Sequence, residues 1–220
     1  TAGGSITNNF VQGVGSNGLA VAAGPKHVLQ VGGQGARVYA KNTGQLVGQP
    51  KTINQFFGIG SSVAVISQPT VVYDPIGRRW VAAAITDSAG DVGLVLRVSK
   101  SSTPTPIGKK SWYRSVRFAD ASTGDLNPDV IESRPQIGVS SNKIAITTVA
   151  DDPSDPLIMN RNFFFPRGLL YNNASPVPGA WTADLNGTYD GQAPSVNASR
   201  QPNIFIAIPD TSDVEVDTYT

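Results

Sequence analysis

The chain has no cysteine, a single histidine (His27), a single methionine and only two glutamates, Glu132 and Glu215. Without cysteine there is neither a disulfide framework nor a thiolate metal site. One histidine cannot build a His-rich metal centre, and a Ser–His–Asp triad would have to use it. At the start of an apolar strand, His27 reads as a structural residue. Charge is also scarce, at 15% of residues with a formal net charge of +1. Lysine and arginine are scattered along the sequence, which points to no nucleic-acid or anionic-membrane partner. No apolar run approaches the roughly 20 residues of a membrane helix, so membrane insertion is not expected.

Nearly every acid is aspartate, a poor helix former beside glutamate. The chain carries 23 glycines and 16 prolines, which punctuate short segments. No window shows sustained 3.6-residue periodicity. Together these predict an all-β chain.

The apolar runs then fall into place. Residues 1–18 are Gly-rich and polar and read as an N-terminal arm. Leu19 to Gly33 gives strand, Gly-Pro turn, strand. Ala36 to Gly48 turns at Asn42, Thr43 and Gly44, and a long loop follows. Val71 to Ile85 is a hairpin turning at Asp74, Pro75, Ile76 and Gly77. Its second strand, Val81 to Ile85, is apolar at every position, which calls for cover on both faces. Leu94, Leu96 and Val98 share one strand face. Arg134 to Ala150 and Pro202 to Thr220 supply further strands.

Three segments share one pattern: an apolar residue, a short polar turn, a basic residue, then an apolar strand. They run from Val21 to Val28, Val72 to Val81 and Val139 to Ala145, at a spacing of roughly 50 to 70 residues. Sheets that each pack between neighbours make a β-propeller of antiparallel four-stranded blades, whole or partial. A β-sandwich is the alternative. At that spacing 220 residues supply about three or four sheets. The expectation is one β domain over 1–220, the N-terminal part of a larger propeller. Thr1 in place of Met, with no signal-peptide core, fits a processed or truncated product.

The segments "LAVAAGPKHVLQVGG", "PTVVYDPIGRRWVAAA", "LRVSKSSTPT" and "RPQIGVSSNKIAIT" resemble successive segments of a family of secreted β-propeller proteins over about residues 19 to 150. The hairpin at Gly77 and Trp80 is similar to a degenerate form of the Asp-box of sialidase-like propellers, keeping its Gly-x-x-Trp spacing. Asp74 stands one residue farther from Gly77 than that motif has it, and Val72 replaces its serine. Ser102–Pro106 departs from the family's Asp-Pro-Thr-Gly turn. The resemblance implies blades and an extracellular or cell-surface location.

The residues of this hairpin read as structural: Asp74 bonding turn amides, Gly77 adopting a positive φ, and Trp80 filling a gap between sheets. A sialidase would need converging arginines, a Tyr–Glu nucleophile pair and an acidic Asp. Arg78, Arg79, Arg114, Arg117 and Arg134 lie on separate segments, and Glu132 is the one catalytic glutamate to consider. No catalytic or cofactor-binding residue emerges. Asp151, Asp152 and Asp155 are weak calcium ligands by type, and so are Asp210, Asp213 and Asp217, but neither group has the Asp-x-Asp-x-Asp-Gly spacing. Asn173, Asn186 and Asn197 head Asn-x-Ser/Thr sequons and would carry glycans in a eukaryotic secretory route. Phe163, Phe164 and Phe165 read as a loop plug over a sheet rather than a sticky surface.

The sequence therefore predicts a non-enzymatic extracellular module for binding or surface assembly. Its partners would be a protein, further copies or segments completing the sheets, or a glycan. A glycan-processing hydrolase of sialidase-like architecture is the alternative.

Overall fold

The computed structural model describes residues 18–66, 69–113, 115–119, 131–152, 155–172, 185–186, 193–194, 204–209 and 214–219. All but the last residue of the expected arm lies outside them. Among the described residues the fold is all-β, built of antiparallel sheets with two five-residue helices.

Four sheets follow one another along the chain. The first holds β1 (Leu19–Ala23), β2 (His27–Gly32) and β3 (Gly35–Ala40) in that order. Backbone bonds from Ala40 N–H to the Gln45 carbonyl, Val47 N–H to the Val38 carbonyl and Lys51 N–H to the Ala36 carbonyl lay the following segment along the outer edge of β3. Helix α1 (Ile53–Phe57) comes next. The second sheet holds β4 (Ala64–Val65), β5 (Thr70–Asp74), β6 (Arg79–Ser88), β7 (Asp91–Val98) and β8 (Val116–Ala119). Its β4 and β5 share one edge of β6, so it is four strands wide.

The third sheet runs β9 (Ile131–Val139), β10 (Lys143–Asp152), β11 (Asp155–Pro166) and β12 (Leu185–Asn186), with α2 (Arg167–Tyr171) after β11. In the fourth are β13 (Ala193–Pro194), β14 (Ile204–Pro209) and β15 (Val214–Tyr219). Apart from the short β4, which pairs with β6, each sheet pairs strands that are neighbours in sequence, the cheapest antiparallel connectivity. The strands that open the four meanders also lie side by side: β1 against β5, β5 against β9, and β9 against β13.

Strand β6 explains why the sheets stack. Trp80, Ala82 and Ala84 point to one face and join Leu29, Val31 and Val38 of the first sheet, Val95, and Phe56 and Phe57 of α1. Val81, Ala83 and Ile85 point to the other, where Leu94, Leu96 and Val98 meet Ile137, Val139, Ile144, Ile146, Phe163 and Phe165 of the third sheet. Every residue from Trp80 to Ile85 is fully buried. The second sheet is thus covered on both faces. Each buried Val, Leu or Ile contributes about 1.5–3 kcal/mol, so these two seams hold the core together.

Two parts of the sequence reading need correction. The long loop after Gly48 contains α1, whose start carries a capping box: Gln55 N–H donates to Thr52 Oγ1, and Thr52 N–H donates to Gln55 Oε1. Gly58, at φ 65°, ends it in the left-handed conformation. The triple phenylalanine is not a loop plug. It lies in β11, where strand alternation sends Phe163 and Phe165 into the seam with the second sheet and leaves Phe164 half-buried.

Candidate functional site

The three segments that share a turn pattern are the hairpins β1–β2, β5–β6 and β9–β10, and they meet at one end of the stack. At the first, Gly24 N–H donates to the His27 carbonyl at 2.9 Å around Pro25. This turn presses on the second hairpin so closely that a Cβ on Gly24 would lie 2.6 Å from Trp80 Cζ2 and 3.2 Å from Tyr73 Cδ2. Trp80 itself is fully buried between the first two sheets, with its ring edge-on to Tyr73 at 5.0 Å. Its Nε1–H donates to the Ser102 carbonyl at 3.0 Å, and Trp112 Nε1–H to the Pro104 carbonyl at 2.7 Å. The Ser102–Pro106 loop therefore satisfies both buried indoles.

The second hairpin turns on Asp74, which has no solvent exposure. Its Oδ1 accepts from Ile76 N–H at 2.8 Å and Gly77 N–H at 2.9 Å, the amide bonding expected of it. Its Oδ2 reaches the third sheet, accepting from the Tyr171 hydroxyl at 2.7 Å and from Arg167 Nη1 at 3.4 Å. Arg167 also donates to the Ser140 carbonyl at 3.1 Å, and its backbone N–H donates to the Asn142 carbonyl at 2.8 Å. One carboxylate thus ties the β5–β6 turn to α2, and Arg167 ties α2 to the β9–β10 turn.

Gly77 corrects the sequence reading. It does not take a positive φ; Arg78 does, at 55°. Glycine is required at 77 for room, because a Cβ there would lie 2.3 Å from Tyr171 Cε2 and 2.4 Å from Asp74 Oδ2.

A tyrosine on a carboxylate is also the pairing of a glycosidase nucleophile, so its ionisation matters. Burial first, and then the hydrogen bond and charge of Asp74, push the Tyr171 hydroxyl far above the ordinary tyrosine range. Arg167 and Arg79, whose guanidinium carbons lie 5.7 and 5.9 Å from the Tyr171 ring centre, oppose this only in part. The phenol stays protonated and donates. Both carboxylate oxygens are engaged away from solvent. The pair is a tie between sheets rather than a nucleophile and base.

The arginines considered for a converging triad go elsewhere or lie outside the description. Arg78 is exposed and Arg79 half-buried at the turn, while Arg117 pairs with Asp91 at 2.7 Å and donates to Thr86 Oγ1 at 3.0 Å near the opposite end of the second sheet. Arg114 and the side chains of Arg134 and Glu132 are outside the described residues. His27 is half-buried with Nδ1 lacking a hydrogen-bond partner, and burial, helped by Lys26, lowers its pKa.

Asp151 and Asp152 end β10 and Asp155 begins β11, where Asp152 pairs with Asp155 across the ladder; their side chains are not described. Among the described side chains no three His, Cys, Asp or Glu gather as a metal site. Asn186 ends β12, while Asn173, Asn197, Asp210 and Asp213 lie outside the described residues. Asp217 lies in β15.

The sequence reading missed Tyr171, Arg167 and Arg97. The first two sit 97 and 93 residues from Asp74, with no local pattern to join them. Arg97 lies buried in β7, donating to the Gln55 carbonyl at 3.4 Å and the Tyr113 carbonyl at 3.3 Å, against Phe56 and Trp112. Burial lowers its pKa to about 10, which leaves it charged at neutral pH. The polar signal there is Arg97 itself, a charge inside the otherwise apolar run of β7. Comparison with known protein families, with curated proteins and with solved structures finds no match to this chain.

Proposed function

We propose that the chain is a run of consecutive β-propeller blades serving as a non-enzymatic extracellular module for binding or surface assembly. The observation that carries the propeller reading is the order of the strands that open the four meanders. β1, β5, β9 and β13 adjoin one another in chain order, as innermost strands around a propeller axis do, while each sheet continues away from them as a meander. A doubly covered second sheet fits the same geometry. The resemblance of residues 19 to 150 to secreted propeller proteins supports the extracellular location. The buried, protonated Tyr171 on Asp74 supports a structural rather than catalytic role for the most elaborate polar cluster.

An experimental structure tests the architecture: successive sheets should be related by rotation about one axis running beside the four first strands. Two flat layers facing each other would favour the sandwich. The activity half is tested with a panel of aryl glycosides. No turnover is expected, and turnover abolished by Glu132→Gln would establish the hydrolase instead.

A further inference from the structure

Six of the lysines and arginines that are scattered in sequence are gathered by the fold at one place. The contacts of Gly24 with Trp80, and of Asp74 with Tyr171 and Arg167, put the β1–β2, β5–β6 and β9–β10 turns at one end of the first three sheets. That end carries Lys26, Lys41 and Arg78, all exposed, with Arg79, Lys143 and Arg167 half-buried among them. Asp74 is the one carboxylate there among the described residues of these sheets, and it is fully buried with both oxygens bonded. The other acids among the described residues of these sheets lie toward the opposite end. Asp87 and Asp91 flank the β6–β7 turn, and Asp151, Asp152 and Asp155 flank the β10–β11 turn. A nearly neutral chain thus shows solvent a cationic end.

We propose that this end binds an acidic polysaccharide, carboxylated or sulfated. The proposal deepens the binding reading above and does not depend on ring closure. Sheets pack about 10 Å apart, so cations on neighbouring turns recur at about that interval and suit a linear polyanion lying across them. Next to Lys41 and Lys143 in the turns come hydroxyl- and amide-bearing residues, Asn42, Thr43, Ser141 and Asn142, of a kind that bonds sugar hydroxyls. The three hairpin turns carry no exposed large apolar side chain, and Leu169 of α2 beside them stands alone, without the cluster that anchors a protein interface. They carry no aromatic side chain on which single-stranded bases would stack. The buried Asp74 contributes by holding Arg167 and Tyr171 in place without offering solvent a negative charge.

The test uses the full chain with polygalacturonate, dextran sulfate, neutral dextran and duplex DNA as probes, in calorimetry or affinity electrophoresis. The chain should bind one or both acidic polysaccharides and not neutral dextran, with affinity falling steeply between about 50 and 200 mM salt. Whichever of the two binds better identifies carboxylate or sulfate as the preferred anion. Combining Lys26→Gln, Lys41→Gln and Arg78→Gln, all exposed and so tolerated by the fold, should weaken binding about tenfold or more. Lys51→Gln, beside Ala36 near the opposite end, should leave it unchanged. Wild-type affinity in the triple variant overturns the assignment, as does a preference for duplex DNA or no binding to either acidic polymer. Binding accompanied by shortening of the polymer would uphold this surface and refute the non-enzymatic reading instead.

Discussion

The two faces of the second sheet are sealed by different means. Toward the first sheet the seam is aromatic and tight: Trp80, Trp112, Phe56 and Phe57 fill it over the small Ala82 and Ala84, and a glycine on the neighbouring turn makes room for Trp80. Toward the third sheet the seam is mainly aliphatic, with Phe163 and Phe165 its aromatic members, and polar bonding is placed at its end in the Asp74–Tyr171–Arg167 tie. Shape complementarity fixes the first seam and a directional buried carboxylate fixes the second. The same hairpin supplies both, Trp80 to one side and Asp74 to the other.

The largest effect should come from emptying the aromatic seam. Trp80→Ala removes one of the two biggest fully buried side chains and should cost about 3–5 kcal/mol, measured by denaturant unfolding. Asp74→Ala should cost about 3 kcal/mol, because it strands the Tyr171 hydroxyl and Arg167 and leaves two turn amides unbonded. If Asp74→Ala proves nearly neutral, the second seam is held by its apolar contacts alone and the contrast between the seams fails.

Tyr171→Phe sharpens the contrast, since it keeps the ring and deletes one hydrogen bond to a charged group, for about 1.5–3 kcal/mol. The pH dependence has a defined sign. Tyr171 has a raised pKa in the folded chain, so its contribution is complete below the unfolded tyrosine value of about 10 and is lost as pH rises beyond it. Wild type should therefore lose stability above about pH 10 more steeply than Tyr171→Phe. Equal slopes would show that the hydroxyl is not held by Asp74. The smallest effect is expected for Gly24→Ala, where the added methyl group must displace the Trp80 ring, at about 1–3 kcal/mol.

What the sequence revealed follows from range. The unbroken apolar run Val81 to Ile85 correctly implied two covered faces, because a strand with no polar side has nowhere else to go. Asp74 was legible as a turn residue since its amide partners are two and three residues away. Its second role was not, because Tyr171 and Arg167 arrive from a different sheet. Gly77 was misread for the same reason: the demand on it is steric and comes from Tyr171, not from its own backbone. Helix α1 was missed although Thr52 and Gln55 spell a capping box, since five residues are too few for apolar periodicity. The cationic end is invisible in one dimension, where its members are spread from Lys26 to Arg167.

The central claim is that the β1–β2, β5–β6 and β9–β10 turns lie together at one end of three stacked sheets. The absence of cysteine allows it to be measured directly, with spin labels on Lys26→Cys and Ser141→Cys and the distance read by electron–electron double resonance. Two sheet intervals place these turns about 20 Å apart, beyond the length of the label arms. A narrow distribution near that value is the predicted result. A separation above about 35 Å, as when strands of ordinary length place the third sheet's turn at the opposite end, would contradict the account.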